Sequence, residues 1–153
     1  MSYGPAASRE YLRNSVLTAS AEQLQLMLLD GAIRHATFGK EAIERKDLEQ
    51  MFNGLERAQR IVLELSNGLQ RDVNPELVDR MAGLYAFIYR RLVDASMDRD
   101  ANAADEALRI LRHQRETWVL VMQRIAETSQ APPTAAREHT DTEQPSSSFV
   151  AEG

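Results

Sequence analysis

The three histidines come first, because histidines beside carboxylates form the usual metal site of a helical protein. A di-metal carboxylate site in a helix bundle needs Glu-x-x-His on each of two helices. Alanine or isoleucine stands three residues before each of His35, His113 and His139. The sequence also lacks a glycine-rich phosphate loop, a Gly-x-Ser-x-Gly turn and a His-Glu-x-x-His motif. We therefore expect no metal, no cofactor and no enzymatic activity.

The overall composition argues against two further classes of function. The chain has 153 residues and a formal net charge of −5, whereas binding to nucleic-acid phosphates needs a basic surface. No apolar run approaches the ~18 residues of a membrane span, and the N-terminal residues do not resemble a secretory signal. Cysteine is absent, which fits a reducing compartment. We expect a cytoplasmic protein without nucleic-acid binding or membrane insertion.

Four segments with apolar residues at helical spacing must position any functional side chains. They cover about residues 21–45, 48–70, 75–96 and 103–127. Ser20 and Gln23 match a capping box, and Asp47 and Asn74 stand where the N-caps of the next two helices belong. Short connectors place successive helices antiparallel. The pattern predicts an all-α fold, an up-down-up-down four-helix bundle over residues 20–127.

Two terminal segments flank this predicted bundle. Residues 1–19 lack helical periodicity before Tyr11, so we predict an extended N-terminal arm. This arm is too apolar for an inert tail, so it either packs permanently on its own bundle or covers a groove until a partner arrives. Residues 128–153 are small, polar and proline-rich without periodicity, which predicts a disordered tail.

The first helix of the bundle has more apolar surface than the rest of the chain can cover. Residues 24–29 include five large apolar side chains that together occupy more than half of the helix circumference. Apolar grooves between helices are typical binding sites for amphipathic segments of other proteins. The residues alone therefore indicate a bundle that binds apolar helical or disordered segments. The alternative is a structural or adaptor module that buries the surplus against copies of itself.

The stretch from residue 11 to residue 32 resembles the N-terminal signature of the flagellar secretion chaperone family (FliS). The matching elements are Tyr11, Val16-Leu17-Thr18-Ala19-Ser20, the leucine-rich run and Asp30-Gly31-Ala32. The similarity continues in order with Arg57-Ala58, Ile61 to Leu65, Leu84-Tyr85, Tyr89 to Leu92, Leu108 to Leu111 and Trp118. One departure is Leu29, because the family usually has an aromatic residue before Asp-Gly.

The resemblance implies an export chaperone of the bacterial cytosol. Such a protein binds the disordered C-terminal segment of flagellin, prevents premature polymerisation and delivers the subunit to the flagellar type III secretion apparatus. It implies flagellin and the export gate as partners, and a monomer or weak homodimer. We expect flagellin to contact the arm and the first and third helices. The candidate residues are Tyr11, Leu12, Val16, Leu17, Met27, Leu29, Asp30, Tyr85 and Tyr89.

Overall fold

The structure is a computed structural model that describes residues 4–72 and 74–130, and within these residues the regular structure is entirely α-helical. The helices are α1 (Pro5–Thr18), α2 (Ala21–Glu44), α3 (Leu48–Asn67), α4 (Pro75–Asp98) and α5 (Ala101–Gln130). The predicted all-α fold is confirmed. The predicted tail lies outside the described residues from residue 131 onward, and residues 128–130 belong to α5 instead.

Helices α2 to α5 form a closed antiparallel ring around one core. Each helix packs against the next along the chain, and α5 closes the ring against α2. Short connectors force each helix to reverse direction relative to its predecessor. The largest fully buried side chains come from all four helices: Leu29, Leu55, Val62, Leu65, Tyr85, Ile88, Leu92, Leu108 and Leu111.

Polar caps fix where the bundle helices begin. At the start of α2, Ser20 Oγ accepts the Gln23 N–H at 3.2 Å and Gln23 Oε1 accepts the Ser20 N–H at 3.0 Å, which completes a capping box. The last helix starts earlier than its apolar pattern indicates. Asp100 Oδ1 accepts the N–H groups of Asn102 at 2.9 Å and Ala103 at 3.3 Å, so α5 begins at Ala101.

The prediction of an extended N-terminal arm is wrong, because residues 5–18 form helix α1. Pro5 occupies the first helical position, where its fixed φ angle favours a helix and its missing N–H costs no bond. Alanine, arginine, glutamate and leucine follow, all strong helix formers. No residue of α1 is buried, so in this structure the arm neither packs into the bundle nor covers a groove.

The backbones of α2 and α3 approach each other closely at two glycines. A Cβ atom added to Gly54 would lie 2.8 Å from the Gly39 backbone nitrogen and 2.9 Å from the His35 carbonyl oxygen. A Cβ atom added to Gly39 would lie 2.7 Å from Leu55 Cγ. Only glycine fits at this crossing, because the obstructing atoms at Gly54 are backbone and cannot move aside independently.

We expect Gly54→Ala to lower the free energy of unfolding by about 1–3 kcal/mol, because the added methyl forces α2 and α3 apart. Gly83→Ala is the matched control, since Gly83 is exposed within α4 and nothing lies within 4 Å of an added Cβ. That control should raise the free energy of unfolding by up to about 1 kcal/mol through helix propensity. Urea unfolding followed by circular dichroism measures both, and equal stabilities of the two variants would contradict the close crossing.

Candidate binding surface

A groove between α3 and α4 is the first element of the candidate site. We call it the aromatic groove; it is a pocket of about 230 Å³ lined by Val62, Leu63, Ser66, Tyr85, Ala86, Tyr89 and Arg90. The lining is mainly apolar, and Arg90 supplies one positive charge at its edge. Two of the sequence-predicted residues, Tyr85 and Tyr89, therefore lie on one surface feature.

The floor of the aromatic groove is fixed by the core, whereas its rim is open to solvent. Tyr85 is only 1% exposed and packs in the core cluster. Burial raises the pKa of the Tyr85 hydroxyl, and a hydrogen bond with the Gln25 side chain offsets part of that rise. Tyr89 is half-buried, and Leu63 remains 45% exposed. The groove thus presents a rigid aromatic base beneath accessible apolar side chains.

The three predicted residues on α2 have different positions. Met27 is half-buried and lines a notch where the end of α1 meets the start of α2. Leu29 is buried in the core, so it is not available to a partner at the surface. Asp30 is bound to Arg115 of α5 through a charge-assisted hydrogen bond. Leu29 therefore belongs to the core, and its assignment as a partner contact is wrong for this structure. Asp30 links α2 to α5 while 43% of its side chain stays exposed, so its assignment as a partner contact stays a prediction.

The four predicted residues of the arm form a second apolar surface, on α1. Tyr11 is 76% exposed and Leu17 is 71% exposed, and Leu12 and Val16 are exposed as well. The helix is joined to α2 through Ala19 and Ser20 in extended conformations, so it meets the bundle at the end where α2 begins. This exposed helix is a surface without a described partner.

The distal part of α5 adds apolar residues to the surface. Trp118 Nε1 donates to the Glu22 carbonyl oxygen at 2.9 Å, which places Trp118 beside the first turn of α2. The apolar stripe of α5 continues beyond this point to Ile125, which is exposed. Leu120, on the other side of the helix from Trp118, is exposed as well. Only the position of the bundle end, which the stripe itself does not reveal, identifies Ile125 as a surface residue.

The described residues contain no cluster of three or more histidine, cysteine, aspartate or glutamate side chains placed to hold a metal ion. None of the helices described is long and apolar enough to cross a membrane. The structure does present accessible apolar surface, in the aromatic groove and on the exposed helix α1. By class, this fold and this surface define a helical-bundle binding protein.

Comparison with known proteins identifies the family. The profile described as "Flagellar protein FliS" matches residues 3–125. The flagellar secretion chaperone FliS of Bacillus subtilis is 34% identical over 113 residues, which cover 74% of this chain and 84% of that protein. The protein of the same name from Salmonella typhimurium is 30% identical over 108 residues, which cover 70% of this chain and 80% of that protein. The chain belongs to the FliS family.

A solved structure supports the fold. A bacterial flagellar chaperone aligns with a TM-score of 0.64 at 20% sequence identity, covering 78% of this chain and 97% of that chain. Because the FliS family consists of secretion chaperones, the expectation that the chain is not an enzyme is confirmed.

The buried hydroxyl of Tyr85 predicts a loss of stability at alkaline pH. The unfolded chain ionises this tyrosine near its ordinary pKa of 10.0, while burial keeps it protonated in the folded state to higher pH. The free energy of unfolding therefore falls as the pH rises through 10.0 toward the raised pKa. Urea unfolding between about pH 8 and about pH 11 should show a smaller alkaline loss for Tyr85→Phe. The exposed Tyr11→Phe is the control and should behave like the unmodified chain; equal losses in both variants would contradict the burial effect.

Proposed function

We propose that this chain is an export chaperone that binds the disordered C-terminal segment of flagellin in the bacterial cytosol. In this role it prevents premature polymerisation and delivers flagellin to the export gate of the flagellar type III secretion apparatus. The observation that carries the proposal is the accessible apolar surface of the aromatic groove and α1 in a chain of the FliS family. Relatives named flagellar secretion chaperone support an export role.

The aromatic groove has the properties that binding of a disordered segment needs. Ordering each backbone residue costs about 1–2 kcal/mol, so the segment must bury apolar surface to offset that loss. Tyr85 is packed in the core, so it fixes the shape of the groove floor but offers almost no surface of its own to a partner. Leu63 and Tyr89 offer accessible apolar surface beside it. An amphipathic segment that folds into a helix as it enters matches this geometry.

Helix α1 provides a second contact for the same segment. Its apolar residues are exposed, and it is joined to the bundle by the short connection at Ala19 and Ser20. Closing such a helix over a bound segment buries apolar surface on both partners. In this proposal α1 contributes to binding of the partner. The sequence analysis had instead considered an arm that covers the groove until the partner arrives. The proposed complex contains one chaperone chain and one flagellin chain, and the free chaperone is a monomer or weak homodimer.

Calorimetric titration with the C-terminal segment of flagellin from the same genome tests the proposal. We expect saturable one-to-one binding with a negative heat-capacity change, the signature of apolar burial. Leu63→Ser should weaken the binding at least about tenfold, because it removes a large apolar contact from the groove. Leu77→Ser is the matched control: Leu77 is 51% exposed and Leu63 is 45% exposed, but only Leu63 lines the aromatic groove.

Two results would overturn this assignment. Absence of binding at tens of micromolar, about 10–100 µM, would remove flagellin as the cargo. Equal weakening by both leucine variants would remove the aromatic groove as the site. If sedimentation of the flagellin-free protein shows a stable oligomer, its exposed apolar surfaces serve self-association, as in a structural or adaptor module.

The contribution of α1 is tested separately with the double variant Tyr11→Ser and Leu17→Ser in the full chain. Both side chains are exposed, so the variant should keep the stability of the bundle. We expect weaker binding of the flagellin segment in the same calorimetric titration. Arg13→Ser on the same helix is the control and should leave the affinity nearly unchanged. Tighter binding by the double variant would instead show that α1 competes with flagellin.

A further inference from the structure

We propose that a pocket at the opposite end of the bundle from α1 binds the acidic segment 138–152 of this same chain. The pocket, which we call the cationic pocket, has a volume of about 430 Å³ and lies where α2 ends and α3 begins. Its apolar lining consists of Ile43, Leu48 and Met51, and its charged lining consists of Lys46 and Arg99.

The backbone at the two cations has an unusual conformation. Lys46 has a φ of 60° and Arg99 a φ of 53°, the only positive φ angles of non-glycine residues in the described part of the chain. Each follows the end of a helix, where the left-handed conformation is common but glycine is the usual residue. For a residue with a Cβ atom this conformation is unfavourable, because the Cβ atom comes too close to the following carbonyl oxygen. Both residues also line the same pocket. A function for their side chains would explain why lysine and arginine, and not glycine, stand at these two positions.

The two cations are not neutralised by their sequence neighbours. No ion pair among the described residues involves Lys46 or Arg99. The adjacent carboxylates cap the next helices instead: Asp47 Oδ1 accepts the Gln50 N–H at 3.2 Å, and Asp100 caps the start of α5. At such exposed positions the attraction between the cations and the helix dipoles is weak and screened by salt. Their charges are therefore available to an anionic ligand.

The segment 138–152 has the complementary chemistry. It contains the apolar pair Phe149-Val150, and its four carboxylates belong to Glu138, Asp141, Glu143 and Glu152. An apolar pair among carboxylates matches an apolar lining beside two cations. The segment also lies beyond residue 125, where the match to the FliS family ends, so the family function does not account for it.

The connection along the chain is long enough for binding within one molecule. Helix α5 has 30 residues, so its last residue lies about 45 Å from its start beside the cationic pocket. The chain from residue 131 to residue 149 reaches roughly 60 Å when extended. A tethered segment needs only modest intrinsic affinity, because the tether supplies an effective concentration of up to about 1 mM.

The first test uses the full-length chain with ¹³C-labelled methionine methyl groups, because Met51 lines the cationic pocket. We expect the double variant Phe149→Ser and Val150→Ser to shift the NMR signal of Met51. Met27, at the other end of the bundle, is the internal control and should not respond. A synthetic peptide of residues 138–152 added to this variant should return the Met51 signal toward its original position. An unresponsive Met51 would overturn the proposal.

The second test places the same tail substitutions in a chain with Lys46→Gly and Arg99→Gly. Glycine suits the left-handed backbone, so these changes should leave the melting temperature equal or higher while they remove both charges. In this background the tail substitutions should no longer shift Met51. A shift that persists would contradict binding by the cations. A shift that depends on protein concentration would assign the segment to the pocket of a second copy and overturn binding within one chain.

Discussion

The glycine-to-glycine crossing of α2 and α3 is the constraint on which the rest of the bundle depends. Because Gly39 and Gly54 let the two backbones touch, α3 lies at one fixed depth against α2, and Leu55 fills the space directly beside the crossing. The outward face of α3 then meets α4 at a set distance, which creates the aromatic groove. A larger residue at the crossing would move this face. The glycines on one side of α3 therefore determine the shape of the aromatic groove on its other side.

Electrostatic contacts complete the closure of the ring between α2 and α5. Asp30 binds Arg115, Lys40 binds Asp105 at 3.1 Å, and the Trp118 indole reaches the α2 backbone. These contacts are partly exposed, so each contributes little to stability by itself. Together they fix the register of α5 against α2, because a shift of α5 along α2 would break all three contacts. The register in turn decides which residues of α5 extend past the bundle and become accessible.

Much of the helical pattern could be predicted from the sequence, because helix starts are local chemistry. The cap at Ser20 and the Asn74-Pro75 start are encoded within a few residues. The site could be predicted only in part, because a stripe of apolar residues shows that a face is covered without showing what covers it. Leu29 thus appeared as a partner contact although it is core. Helix α1 was missed because its few apolar residues give only a weak helical periodicity. The information that predicts this helix lies in Pro5 and the strong helix formers that follow it.

The separation of the apolar surfaces is itself an argument about function. In a chain built only for stability, Tyr11 and Leu17 of α1 would be expected to be buried, since burial of large apolar side chains is the main favourable term in folding. Here no residue of α1 is buried, and the core cluster contains none of its residues. The net charge of −5 favours solubility of a chain with such exposed surface. Apolar surface that the fold leaves unburied is available for a segment supplied by another protein, which agrees with the name flagellar secretion chaperone that relatives in the FliS family carry.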